Sequence, residues 1–241
     1  MTIQEQVQET LDELVASGAE LGVQVVAYRD GVKVVDTVAG VAAPDGSPVT
    51  PGTVFYNFSV GKRAMSTLVH QEVDSGAFSY DTPVVELWPE FRAHGKESVT
   101  VRHVLSHTAG LPGIPLDPTT SDISTWDTMI RALENAELWW EPGTKIGYHA
   151  YTFGYLAGEI VRRSTGRPLA EVLRERIAAP LGFPDELFFG MPEDKRGSLV
   201  TLVDAPSEWT GPPCSCWRIC RCSAPRRCRC SLTPISATTR E

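Results

Sequence analysis

The chain has 241 residues, 22 of them basic and 30 acidic, for a formal net charge of −8. Its 42% hydrophobic and 22% charged content is ordinary globular composition and excludes wholesale disorder. The acidic balance argues against general nucleic-acid binding, which needs a basic surface. No apolar run approaches the roughly 20 residues that span a bilayer.

These averages hide a division. All six cysteines lie between Cys214 and Cys230, and no glycine follows Gly211. Residues 214–241 hold six arginines and one acid, Glu241, a net of +5. The remaining 16 basic and 29 acidic residues give the first 213 a net of −13. The sequence therefore predicts two objects: a body over residues 1–205 and a Cys/Arg-rich tail over 206–241.

In chain order, Met1–Gly18 comes first. Ile3, Val7, Leu11 and Val15 recur at four-residue spacing, which predicts an amphipathic helix. The segment has neither the basic nor the apolar region of a secretory signal, so a cytoplasmic location is expected. Leu21–Arg29 and Val32–Val38 are valine-rich and flank Asp30-Gly31, a pair suited to a type I′ turn, so a β-hairpin is predicted. Pro44, Asp45-Gly46, Pro48 and Pro51-Gly52 mark a loop over 42–52.

From Ser59 to Val73, Ala64, Met65, Leu68, Val69 and Val73 fit one helical face, which Gly76 ends. Asp81-Thr82-Pro83 starts a helical turn reaching Trp88, and Thr100 can cap a short helix over Val101–Ser106. Gly110–Pro118 reads as a loop and Asp122–Leu138 as a helix, broken by Glu141-Pro142-Gly143. Tyr151–Ser164 and Leu169–Ile177 complete the helices, divided by Gly166 and Pro168 and closed by Pro180. A hairpin followed mostly by helices predicts an α/β or α+β fold.

Several chemical signatures are missing: G-x-S-x-G, H-E-x-x-H, a P-loop, and G-x-G-x-x-G after a strand. The five histidines show no tight metal-ligand spacing. Neither a metal nor a cofactor is expected. What is present is Ser59-Val60-Gly61-Lys62, an S-x-x-K tetrad where a helix should start. Positions i and i+3 share a helix face, so Lys62 projects beside Ser59. The helix start also offers free N–H groups and a partial positive charge. A serine there can meet a proton acceptor and an oxyanion donor together. Taken alone, the tetrad is a weak signal, and an N-capping serine beside a surface lysine is the favoured reading.

Its surroundings carry a family resemblance. Phe55–Lys62 resembles the nucleophile segment of the serine β-lactamase and penicillin-binding-protein superfamily. His103-Val104-Leu105-Ser106-His107-Thr108-Ala109-Gly110-Leu111-Pro112 is similar to the L-L-S-H-T-S-G-L-P stretch of its class C-like branch. Pro142-Gly143 followed by Tyr148 resembles the element that supplies a catalytic tyrosine, and Tyr155–Leu169 and Pro180-Leu181-Gly182-Phe183 are similar to the blocks after it.

The resemblance implies a β-lactamase/transpeptidase-like fold, an antiparallel sheet plus a helical domain. It implies that Ser59 forms an acyl-enzyme, that Lys62 and Tyr148 share proton transfer, and that the Ser59 N–H lines the oxyanion hole. The lactamase branch carries Y-x-N at the tyrosine element, with the asparagine binding a substrate amide. This chain has Tyr148-His149-Ala150, and alanine makes no side-chain hydrogen bond. On that departure the chain resembles most the family VIII carboxylesterases, with a small-molecule ester as substrate. Tyr56, Asn57 and His149 are further candidates for the pocket, and Trp139, with Trp140, for an apolar acyl site. Core packing is the other reading of these residues.

A third family element, K-T-G or H-x-G on a late strand, is not found, and resemblance fades after Thr201–Asp204. The fold is therefore expected to be incomplete at its C-terminal end, with an open sheet edge. The C-x-C pairs at 214/216, 220/222 and 228/230 fit no standard zinc spacing. The preferred reading of the tail is out-of-frame translation; a thiolate metal cluster or a disulfide knot is the other. Three functions stand beside ester hydrolysis: a β-lactamase or D,D-peptidase, a catalytically inactive binding homologue, and a metal-responsive protein acting through its tail.

Overall fold

The computed structural model describes residues 1–114 and 123–203. The tail over 206–241, and with it every reading placed there, lies outside the described residues. So do 115–122, which hold part of the Gly110–Pro118 loop and the expected helix start at Asp122.

Helix α1 runs from Ile3 to Ala16. Thr2 accepts from the Glu5 N–H, and the Glu5 carboxylate accepts from the Thr2 N–H, a reciprocal capping box. Strands β1 (Gly22–Arg29) and β2 (Val32–Gly40) pair antiparallel, Gly22 opposite Gly40 and Arg29 opposite Val32. The two turn residues have φ +52° at Asp30 and +77° at Gly31, both left-handed as a type I′ turn requires. A bulge between Ala27 and Tyr28 shifts the register beside this turn.

Among the described residues the sheet has these two strands. The edge of β2 is not left open. The Gln4 carboxamide donates to Asp36 O at 3.1 Å and accepts from Asp36 N at 2.9 Å, as a neighbouring strand would. Gln8 donates to Val38 O at 3.1 Å. Two glutamines, one helical turn apart on α1, thus satisfy β2 backbone groups that would otherwise invite edge pairing. These contacts cover the β2 edge of the hairpin.

The helical part begins at a 3₁₀ turn, Phe58–Val60, running into α2 (Gly61–Asp74). Then come α3 (Val84–Leu87), a kinked 3₁₀ stretch over Pro89–Ser98, and α4 (Val101–Leu105), capped by Thr100. Helices α5 (Trp126–Glu134), α6 (Thr152–Thr165) and α7 (Leu169–Leu173) follow. The predicted α2 face is the buried one: Met65, Leu68 and Val69 join Val101 and Val104 of α4, Ile130 and Leu133 of α5, and Leu156, Ile160 and Val161 of α6. Trp88 and Phe91, both wholly buried, close this core. At about 1.5–3 kcal/mol per buried large apolar side chain, this core fixes α2 and thus the turn at its start.

The last described segment returns to that turn. Val54 N donates to Ser198 O and Val200 N to Val54 O, both at 2.9 Å, so residues 198–200 brace the strand-like approach to Ser59.

α7 passes into a π-helical turn over Arg174–Ala178, which keeps the expected reach to Ile177, whereas α5 is shorter than expected. α5 ends at Glu134, not Leu138. The cause is tertiary: the fully buried Lys96 ammonium donates to Glu134 O at 3.0 Å and to Ala136 O at 2.5 Å. A side chain from another segment thus satisfies carbonyls at the helix end, and the chain leaves the helix there. Trp139 and Trp140 consequently sit on irregular chain.

Candidate active site

Phe58 sits at φ +40°, a left-handed conformation rare for a bulky residue, immediately before Ser59. This bend leaves Ser59 exposed at the mouth of α2. Lys62, one turn on and half-buried, reaches back: its Nζ donates to Ser59 Oγ at 3.2 Å and to Ala150 O at 2.7 Å. The same nitrogen stands 5.1 Å from the Tyr148 ring centroid and 5.9 Å from that of Phe153, within cation–π range of both. Residues far apart in sequence therefore converge on one nitrogen, and Ser59, Lys62 and Tyr148 are brought together.

The loop bearing Tyr148 is held from its main chain. Gly143 N donates to Thr108 O at 3.0 Å, and Gly147 N to His107 O at 3.1 Å. His149 N donates to His107 Nδ1 at 3.1 Å. A Cβ on Gly147 would stand 2.3 Å from Trp140 Cη2, so only glycine fits beneath that indole. Trp140 is fixed in turn by donating Nε1–H to Thr108 O at 3.3 Å.

The four substrate-side candidates are placed differently. Tyr56 and Trp139 are 47% and 63% exposed. Trp139 lies against Gly113, where an added Cβ would stand 2.5 Å from its ring, and its main-chain N–H donates to Gly110 O at 2.8 Å. Asn57 precedes the Ser59 turn, its carbonyl accepting from Val60 N at 2.9 Å, and its side chain is exposed. His149 is fully buried. Its Nε2 accepts from Leu111 N at 3.2 Å, which assigns the proton to Nδ1, 2.6 Å from Gly147 O. Both ring nitrogens are thus occupied by backbone, which ties the loop to the chain at Leu111.

Burial pushes the His149 imidazole down to about 4, helped by His107 and opposed by the bond to Gly147. Burial, and then the Lys62 charge, hold His107 below the usual histidine range. Both rings therefore stay neutral at neutral pH, as their acceptor roles require.

Sequence reasoning missed the carbonyl of Ala150, because a main-chain atom leaves no side-chain signal. It also gave His107 no role of its own. A signal existed: His107 follows the α4 cap, where helices favour glycine. Among the described residues, no three His, Cys, Asp or Glu side chains gather as a metal site. No helix among them is long and apolar enough to cross a membrane.

A family profile described as Beta-lactamase matches residues 7–213. Esterase/beta-lactamase LipL of Mycobacterium tuberculosis is 35% identical over 185 residues, 75% of this chain and 42% of LipL. A family VIII carboxylesterase of known structure superimposes with a TM-score of 0.77 at 32% identity, over 83% of this chain and 55% of its own. A penicillin-binding protein homologue from Caulobacter crescentus does so at 0.75 and 36% identity, over 83% and 54%. The chain spans about half the length of these relatives. The matched residues take in the hairpin, the Ser59 turn and the Tyr148 loop, and the chain belongs to the beta-lactamase family.

Proposed function

We propose that this chain carries the nucleophile half of a carboxylesterase that works through an acyl-enzyme on Ser59. The observation that supports this reading most is the convergence at Lys62 Nζ, 3.2 Å from Ser59 Oγ, anchored on Ala150 O at 2.7 Å and facing the Tyr148 ring. Ser59 Oγ attacks the ester carbonyl carbon while its proton passes to the Lys62–Tyr148 pair. The Ser59 N–H stabilises the negative charge on the carbonyl oxygen. The proton then goes to the leaving alkoxide, the alcohol departs, and the acyl group stays on Ser59. Water attacks the acyl-enzyme, releases the acid and restores Ser59. Tyr56 and Trp139 offer exposed aromatic faces to the substrate, with Asn57 at the rim.

Esters are favoured over amides because Ala150 presents no side-chain partner to a substrate amide, and its carbonyl is already taken by Lys62. LipL is named for both activities, so β-lactam hydrolysis is the reading to set against this one. The test is p-nitrophenyl butyrate hydrolysis by the purified chain, with nitrocefin alongside. Hydrolysis of the ester, lost in Ser59→Ala together with fluorophosphonate labelling, is the expected result. Retained ester hydrolysis in Ser59→Ala refutes the nucleophile, and nitrocefin turnover matching the ester refutes the preference.

A further inference from the structure

We propose that His107 is a positioning residue for Tyr148, gripping the main chain on both sides of the tyrosine and packing its ring against the phenol. The inference rests on Tyr148 acting in proton transfer.

The first observation is backbone geometry. His107 N donates to Val104 O at 3.2 Å and Thr108 N to His103 O at 2.9 Å, the paired bonds of a Schellman motif closing α4. In that motif His107 takes the left-handed position, at φ +60°. Glycine fits there without strain, and a histidine does not. A strained residue persists where its side chain has something to do.

The second observation is what the side chain does. Its Nδ1 accepts from His149 N at 3.1 Å, while its own carbonyl accepts from Gly147 N at 3.1 Å. Residues 147 and 149 flank Tyr148. The imidazole and phenol ring centroids are 4.9 Å apart, tilted by 53°, and Phe153 backs the imidazole at 5.0 Å. One residue therefore fixes the position before the tyrosine, the position after it, and one face of the ring. Tyr148 is itself half exposed.

The variants follow from the two observations. His107→Gly removes the ring and relieves the backbone. His107→Asn tolerates a left-handed backbone and keeps an acceptor oxygen near the place of Nδ1. In the ester assay, His107→Gly is expected to lower kcat roughly 100-fold with KM within about twofold, the scale of an ångström-sized misplacement. His107→Asn is expected to recover most of that loss. In a Tyr148→Phe background, His107→Gly should add less than about a twofold effect, because its influence passes through the phenol. An unchanged kcat in His107→Gly, no rescue by asparagine, or multiplying losses in the double variant would each overturn the proposal.

Hydrogen exchange separates failure of this inference from failure of the esterase reading. Even in a chain without hydrolysis, the His149 amide should exchange slowly in wild type and His107→Asn and fast in His107→Gly. Fast exchange at His149 in the wild-type chain overturns the grip whichever variants fold.

Discussion

Glu159 allows a prediction worked from distances. Its side chain is fully inaccessible, yet it holds four donated bonds. Oε1 accepts from Arg162 Nη2 at 2.6 Å and Arg163 Nε at 2.7 Å; Oε2 accepts from Arg162 Nε at 2.7 Å and Trp126 Nε1 at 3.0 Å. In Glu159→Gln, one oxygen becomes an NH₂ group. Whichever it is, two donors then face a donor. Breaking a buried ion pair costs about 3–5 kcal/mol. Here Arg162 and Arg163 keep 41% and 27% side-chain exposure, so the guanidinium groups can turn partly to water. The expected loss is about 2–3 kcal/mol, or roughly 5–10 °C in Tm for a domain of this size.

The pH dependence has a definite sign. Burial pushes the Glu159 carboxyl up, but hydrogen bonds from Arg162, Arg163 and Trp126 outweigh it and hold the group below its ordinary 4.5. A carboxylate depressed in the fold contributes stability above its unfolded value and loses it as pH falls through the folded one. The gap between wild type and Glu159→Gln should therefore be full at pH 7 and shrink once pH drops below 4.5. Urea unfolding at a series of pH values measures it. A gap under about 0.5 kcal/mol at pH 7, within the range of ordinary surface substitutions, or one that stays constant into acid, refutes the reasoning.

His149 adds an acid limb that both chains share. The unfolded imidazole takes a proton at 6.5 while the buried one resists until about 4, so stability falls as pH drops between those values. The full effect is about 3 kcal/mol, and His149→Gln should flatten this part of the curve; an unchanged limb would exclude His149 as its source. Gly147→Ala drives a methyl into Trp140, which its bond to Thr108 keeps from yielding. A cost of about 1–3 kcal/mol in urea unfolding is expected. The displaced neighbour is Tyr148, so kcat should fall more than KM rises. Wild-type stability and kcat in this variant would show that the indole moves aside freely.

Part of this protein could be read without its fold. Asp30-Gly31 between valine-rich runs predicted the hairpin because few residue pairs accept two left-handed conformations in a row. Thr100 and Gly166 marked helix ends for similarly local reasons, and the apolar spacing from Ala64 to Val73 identified the buried face of α2. The helix over Asp122–Leu138 was misjudged because Lys96, about forty residues earlier in the chain, ends it through its ammonium. The cover over β2 escaped the sequence because Gln4 and Gln8 look like solvated positions until α1 lies along β2.

The same division runs through the candidate site. Sequence alone determined the juxtaposition of Ser59 and Lys62, since one helical turn relates them and needs no tertiary contact. Only the tertiary structure decided the rest. Ala150 and Tyr148 reach Lys62 from a loop 88 positions away along the chain, counted to Ala150, and His107 meets that loop from the end of another helix. The physical reason is range: helical and turn preferences act over a few residues, whereas a main-chain acceptor for an ammonium is supplied by whatever segment packing brings beside it.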